Sequence, residues 1–231
     1  MLVVNGDSFV HEFHLPKEKR WSTRIKADVN LGLGAGSNDR IFYTTLQLLH
    51  EKDVDIIIIG WTSWVRSFLQ KNNGSRWKIC SGIATDELED HLGEDPLIAD
   101  LYYKKIFNEY TQLKNTLMYM LHLQEYCKMK NIKLINFSTI FGKNDLNENE
   151  LEKIAKSAHM SRDTMEMKNN GIQHHKNVLK EYINKLDSST WVNKSLFFSM
   201  NQILDQYPRT SDGHIAEEGS ERWAEIVQKF I

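Results

Sequence analysis

Cysteine is scarce in this sequence, and long apolar runs are missing. The two cysteines, Cys80 and Cys127, lie far apart and without metal-ligand spacing, which argues against a disulfide scaffold and a cysteine-built zinc site. The most apolar run, residues 54–61, is interrupted by Asp55 and is too short to cross a bilayer. The opening residues lack the pattern of a secretory signal. We therefore expect a soluble, cytoplasmic protein with no membrane partner.

An excess of either charge is also missing. The 29 basic and 31 acidic residues nearly cancel, so nothing favours general electrostatic attraction to nucleic acid. A chain of 231 residues with 41% hydrophobic content suits one medium domain with a sizeable core. No internal repeat or linker is visible, so we expect a single domain over residues 1–231, and the pattern says nothing about its oligomeric state.

Short runs rich in β-branched residues predict the strands. Residues 2–5, 55–60 and 132–137 read as strands buried on both faces, and 28–31 as a weaker one. Helical patterns alternate with them. This order predicts an α/β fold, a three-layer α/β/α sandwich around a central parallel sheet.

Three further segments complete the predicted organisation. A long helical pattern runs over about 96–130, and an amphipathic helix closes the chain after Ile215. Between them, residues 143–190 are charged and rich in Asn and Lys, with weak helical periodicity. We interpret this part as a polar excursion placed to cover a site.

Serine, histidine and aspartate occur at both ends of the chain in positions that suit nucleophilic catalysis. In VVNGDSFV, Ser8 directly follows the first strand, where open α/β sheets place their ligand sites. His214, with Asp212 two residues before it, precedes the last helix. A serine nucleophile needs a histidine to take its proton and a carboxylate to orient that histidine. The structural alternatives are a helix N-cap for Ser8 and loop or turn roles for the other two.

These two segments resemble the first and last sequence blocks of the SGNH/GDSL hydrolases, a superfamily of esterases, lipases, thioesterases and carbohydrate deacetylases. NGDSF is similar to the nucleophile block, and DGHIAEEGSERWAEIV to the final block. The resemblance implies a flavodoxin-like fold, with Ser8 as nucleophile, His214 as general base and Asp212 as its orienting partner. The commoner family spacing puts the acid three residues before the histidine, where Ser211 stands here.

The middle blocks of that family supply donors for the oxyanion. NLGLGAGSND, residues 30–39, is similar to the second block, with Gly36 preferred over Gly34 as the backbone donor. The third block is usually Gly-x-Asn-Asp, but here Thr62 occupies the asparagine position. A hydroxyl donates one hydrogen bond, and Asn38 is a second candidate whose alternative role is a cap or turn.

Three side chains beyond the third block are predicted to bind substrate. Trp61 and Trp64 suit sugar rings or acyl chains, and Arg66 suits a carboxylate or phosphate. Alternatively, the tryptophans pack under the excursion and Arg66 is solvated. In HEFH, His11 and His14 lack the spacing of zinc proteases and read as surface histidines.

The resemblance implies a serine-dependent ester hydrolase acting on a small-molecule or glycan ester, with no metal and no cofactor. Two alternatives stay open. One is an O-acyltransferase using the same triad, and the other is a catalytically weakened glycan-binding or accessory protein, favoured by the altered third block.

Overall fold

A central parallel sheet organises the computed structural model, which describes residues 1–70, 76–80, 83–86, 96–141, 146–158, 165–211 and 213–231. Its strand order is β2-β1-β3-β7. The strands are β1 Leu2–Asn5, β2 Val29–Asn30, β3 Ile56–Trp61 and β7 Lys133–Ser138. Three of the four were predicted almost to the residue because each contains a short apolar run, which strands buried on both faces require.

Successive residues of each strand contribute to opposite cores. Val3 and Ile57 belong to one buried apolar cluster, whereas Val4 and Ile58 belong to the other. This alternation is the two-residue period of a pleated strand. The sheet is therefore buried on both faces.

Helices cover each face of this sheet. On one face lie α3 Asn38–Glu51, α5 Glu109–Met129, α6 Glu148–Lys156 and α7 Met165–Lys185. On the other lie α1 Ser8–His11, α2 Trp21–Arg24, α8 Met200–Leu204 and α9 Glu217–Gln228. The predicted three-layer α/β/α sandwich is confirmed.

The region after β3 differs most from the prediction. Three strands that were not predicted form a second, antiparallel sheet: β4 Ser67–Gln70, β5 Arg76–Cys80 and β6 Ile83–Asp86. The long helix is also interrupted. Helix α4 Pro96–Leu101 continues into a π-helical turn, Tyr102–Ile106, and α5 begins anew because the Asn108 side chain accepts a hydrogen bond from the Thr111 N–H.

The polar excursion joins the helical layer on the first face. Leu151 and Ile154 of α6 and Leu179 of α7 are buried in the same apolar cluster as α5. Its residues 143–145 and 159–164 lie outside the described residues. The apolar positions that gave only a weak period in the sequence therefore pack against α5.

The two ends of the chain meet on the second face. Lys19 and Arg24 both form ion pairs with Glu217 at the start of α9. The helices that the structure describes include none with the length and apolar character needed to cross a membrane.

Candidate active site

The carboxyl end of β1 turns directly into α1 through Gly6. A Cβ added at Gly6 would lie 2.9 Å from the Gly60 carbonyl oxygen of the neighbouring strand and would overlap Val10. Only glycine fits this close approach, because contacts under 3.0 Å force atoms to move. The glycine of the GDS motif therefore lets α1 start at the very edge of the sheet.

Asp7, not Ser8, caps this helix. The Asp7 Oδ1 accepts a hydrogen bond from the Phe9 N–H at 3.0 Å, and Ser8 is the first helical residue. The capping alternative for Ser8 is thus wrong, since its neighbour performs that role. Ser8 is 5% exposed and has its backbone N–H at the first helical position, where no intrahelical acceptor exists.

The Asp7 carboxylate also joins the ends of three strands. Its Oδ2 accepts hydrogen bonds from Thr62 Oγ1 at 2.7 Å, Arg66 Nη1 at 2.9 Å and Thr139 Oγ1 at 2.9 Å. Asp7 is fully buried. Sequence reasoning missed this role, although an acidic residue between a strand end and a short helix is a recognised N-cap signal.

His214 lies against the same helix. Its ring centroid is 5.2 Å from that of Phe9 and 5.4 Å from that of Phe13. The His14 ring stacks on it at 4.9 Å, and His14 Nε2 is 2.8 Å from the Ile215 carbonyl oxygen. The structure therefore brings His214 beside the residue that follows Ser8, and it places His14 in the site rather than on the surface.

A tight turn presents His214 to α1. The N–H and hydroxyl of Thr210 donate to the His214 carbonyl at 2.8 and 3.0 Å. Gly213 closes the turn in the left-handed region, with φ of +82°, which a glycine adopts at little cost. Asp212 lies outside the described residues, so its role as the orienting carboxylate stays a prediction.

The two side chains predicted as oxyanion donors have other partners. The Asn38 Oδ1 accepts from the Thr62 N–H at 2.9 Å, and its Nδ2 donates to the Thr62 carbonyl at 2.9 Å and to Thr116 at 3.2 Å. The Thr62 hydroxyl donates to Asp7. A hydroxyl has one proton to give. Asn38 and Thr62 therefore fix the third block in place, which corrects their predicted role.

The preferred backbone donor is engaged as well. The Gly36 N–H donates to the Leu33 carbonyl at 3.0 Å. A Cβ at Gly36 would lie 3.3 Å from the Gly6 carbonyl oxygen, so this loop does approach the GDS turn closely. The proximity expected for Gly36 is present, but its N–H closes a turn instead of pointing to a ligand.

The substrate-facing prediction is also wrong for both tryptophans. Trp61 is fully buried and donates its indole N–H to Asn136 at 2.9 Å. Trp64 is 8% exposed and packs edge-on against Phe141. Both belong to the core because β3 and the turn after it run beneath the helices. Arg66 is neither solvated nor isolated, since it pairs with Asp7.

A second buried carboxyl group lies at the other end of α1. Glu12 is fully buried, ends the helix with φ of 48°, and accepts the Trp21 N–H at 2.6 Å. Burial raises the pKa of Glu12 to about 8, against the lowering effect of its hydrogen bonds. Over the described ranges, no three acidic, histidine or cysteine side chains are arranged to hold a metal ion.

Comparison with known proteins gives a match in structure alone. No family model and no curated protein matches the sequence. Among solved structures, TesA is 10% identical with a TM-score of 0.50, over 99% of this chain and 96% of TesA. The esterase EstA from Pseudoalteromonas sp. is 9% identical with a TM-score of 0.49, over 99% and 94% of the two chains.

A third similar structure is a catalytic mutant of Axe2, an acetylxylan esterase from Geobacillus stearothermophilus. It is 11% identical with a TM-score of 0.46, over 99% of this chain and 92% of Axe2. At such identities a structural likeness shows the fold. The chain shares its α/β/α fold with TesA.

Proposed function

We propose that this protein is a serine-dependent ester hydrolase with Ser8 as nucleophile and His214 as general base. The observation that carries the proposal is the position of His214 against Phe9, on the helix that Ser8 begins. Phe9 and His214 are far apart in sequence, and their contact supports a site at the carboxyl edge of the parallel sheet, where such folds bind ligands. The fold itself hosts many functions, so the site must support the chemistry.

The proposed reaction proceeds through an acyl-enzyme. Ser8 Oγ attacks the carbonyl carbon of an acyl ester while His214 accepts the hydroxyl proton. The carbonyl π electrons move to the oxygen, and collapse of this intermediate expels the alcohol, which takes its proton from His214. Water then attacks the acyl-serine by the same route and releases the acid. Asp212 is proposed to orient the imidazole.

A fluorophosphonate probe tests the nucleophile. We expect covalent labelling of wild type and none of Ser8→Ala. Ser63→Ala is the matched control, because Ser63 lies on the neighbouring strand end and its loss leaves labelling intact. Equal labelling of wild type and Ser8→Ala removes Ser8 from the mechanism, and hydrolysis of short aryl esters then separates turnover from mere reactivity.

One observation favours a non-catalytic binding module as the second candidate. The groups predicted to hold the oxyanion, Gly36, Asn38 and Thr62, all have hydrogen-bond partners within the protein. A folded wild type that neither reacts with the probe nor hydrolyses aryl or sugar acetates favours this candidate. The hydrolase requires a different donor.

A further inference from the structure

Arg66 lies beside Thr62, the predicted oxyanion donor, since both donate to Asp7 Oδ2. It follows β3 by five residues, at the carboxyl edge of the sheet. In the part of the chain that the structure describes, it is the one cation ion-paired with a residue adjacent to Ser8. Its partner, Asp7, is the cap of the helix that Ser8 begins.

The guanidinium group has more donors than this ion pair consumes. Arginine carries five N–H groups in a planar fork, and the described residues accept from Nη1 of Arg66 only, at 2.9 Å. The Arg66 side chain is 14% exposed, whereas that of Asp7 is fully buried. The group therefore extends from the buried carboxylate to the edge of the sheet where solvent reaches it.

A network of hydrogen bonds fixes the position of Asp7, the ion-pair partner of Arg66. Its carboxylate already accepts from the Phe9 N–H and from the hydroxyls of Thr62 and Thr139. Those neutral donors fix the position of the carboxylate while Arg66 neutralises its charge, so Asp7 in turn holds the guanidinium. A donor held rigidly before the reaction begins is what oxyanion stabilisation requires.

We propose that Arg66 is the oxyanion donor of this site, in the place that an asparagine side chain fills in the resembled third block. This inference rests on the proposed function of Ser8. As the Ser8 Oγ–carbon bond forms and the π electrons move to the carbonyl oxygen, an N–H of Arg66 donates to that oxygen together with the Ser8 backbone N–H. Arg66 keeps all its protons, and its hydrogen bond to the oxygen weakens when the carbonyl re-forms and the alcohol leaves.

The test compares Arg66→Met, Arg66→Lys and wild type in steady-state hydrolysis of a short aryl ester. Loss of one oxyanion donor costs roughly 10²- to 10³-fold in kcat, so we expect that loss in Arg66→Met with KM little changed. We expect Arg66→Lys to keep part of the wild-type rate, and guanidinium ion added to Arg66→Met to restore part of it. Arg222→Met is the matched control, because Arg222 is 43% exposed and pairs with Glu225 within α9, and its loss leaves kcat unchanged.

A double variant distinguishes a role of Arg66 in catalysis from a role in neutralising the charge of Asp7. Asn caps helices as well as Asp does, so Asp7→Asn keeps α1 while removing the charge. If Arg66 acts on the oxyanion, the Asp7→Asn, Arg66→Met double variant stays as slow as Arg66→Met. If the double variant recovers the wild-type rate, or if Arg66→Met never loses it, the inference is overturned.

Thermal unfolding of each variant shows whether a loss of rate comes from unfolding. Probe labelling keeps the two proposals distinguishable: Ser8-dependent labelling with an unchanged Arg66→Met rate overturns the role of Arg66 alone. Absence of Ser8-dependent labelling in wild type overturns both.

Discussion

Two buried carboxyl groups bracket the helix that carries Ser8, and their surroundings differ. Asp7, at the start of α1, accepts hydrogen bonds from the ends of two other strands and from a guanidinium group. Glu12, at the end of α1, accepts the Trp21 N–H through Oε2, while its Oε1 has no hydrogen-bond partner among the described residues. Burial raises the pKa of Glu12 to about 8.

Burial alone therefore does not determine the role of a carboxyl group, because its hydrogen-bond partners differ from site to site. At neutral pH Glu12 mostly keeps its proton and serves as a polar contact between helices. Asp7 instead caps α1, connects the ends of three strands and pairs with a cation. Helix α1, which begins with Ser8, is therefore anchored to the sheet at one end and to the outer helices at the other.

Removing the Asp7 carboxylate has the largest expected effect. Asp7→Ala deletes the cap and leaves the Arg66 charge without its buried partner, which for such pairs costs about 3–5 kcal/mol. Denaturant unfolding measures this loss against wild type. A cost under about 1 kcal/mol contradicts the role of Asp7 as the anchor of the site.

Glu12→Gln sharpens the comparison through pH. The pKa of Glu12 is about 8 in the folded protein against 4.5 as its ordinary value, so the folded state binds the extra proton between these values. The stabilisation that the protonated Glu12 gives the folded state is fully present below pH 4.5. It is lost as the pH rises to about 8, by up to about 1.4 kcal/mol per pH unit.

Glutamine does not titrate, so the Glu12→Gln variant lacks this dependence. Thermal unfolding at pH 5, 6.5 and 8 is expected to show wild type losing stability relative to Glu12→Gln as the pH rises. Parallel curves for the two proteins exclude a raised pKa at this position.

Thr139→Val has the smallest expected effect. It removes one of the hydrogen bonds to Asp7 while nearly preserving volume, and a buried acceptor that loses one of several donors costs about 1–2 kcal/mol. Thr23→Val is the matched control on an exposed position, where surface changes stay within about 0.5 kcal/mol. Equal unfolding midpoints for the two variants contradict a contribution of Thr139 to the Asp7 network.

The sheet was predictable because its signal is local. Residues 2–4 and 56–59 are continuous apolar runs, and any strand buried on both faces needs such a run. The break before α5 was not predictable from apolar periodicity, since Leu113 and its successors continue the stripe. It depends on the single Asn108 cap.

The sequence pointed to the candidate residues of the site but not to the hydrogen bonds that surround them. Ser8 and His214 follow from motifs at strand and loop ends. The partner of the Thr62 hydroxyl is Asp7, 55 residues away, and the amide of Asn38 is used by the backbone of Thr62. Such pairings are fixed by tertiary packing, which residue type and spacing do not encode.

The two ends of the chain meet on the second face, so the time taken by synthesis separates them. Ser8 and His214 are about 200 positions apart, and at roughly 5–20 residues per second a ribosome needs on the order of 10–40 s to travel between them. Throughout that interval a nascent chain carries the serine without its proposed base. Docking of α9, through Glu217 onto Lys19 and Arg24, then brings the two regions together, so under the proposed mechanism the serine gains its base only after α9 has been synthesised.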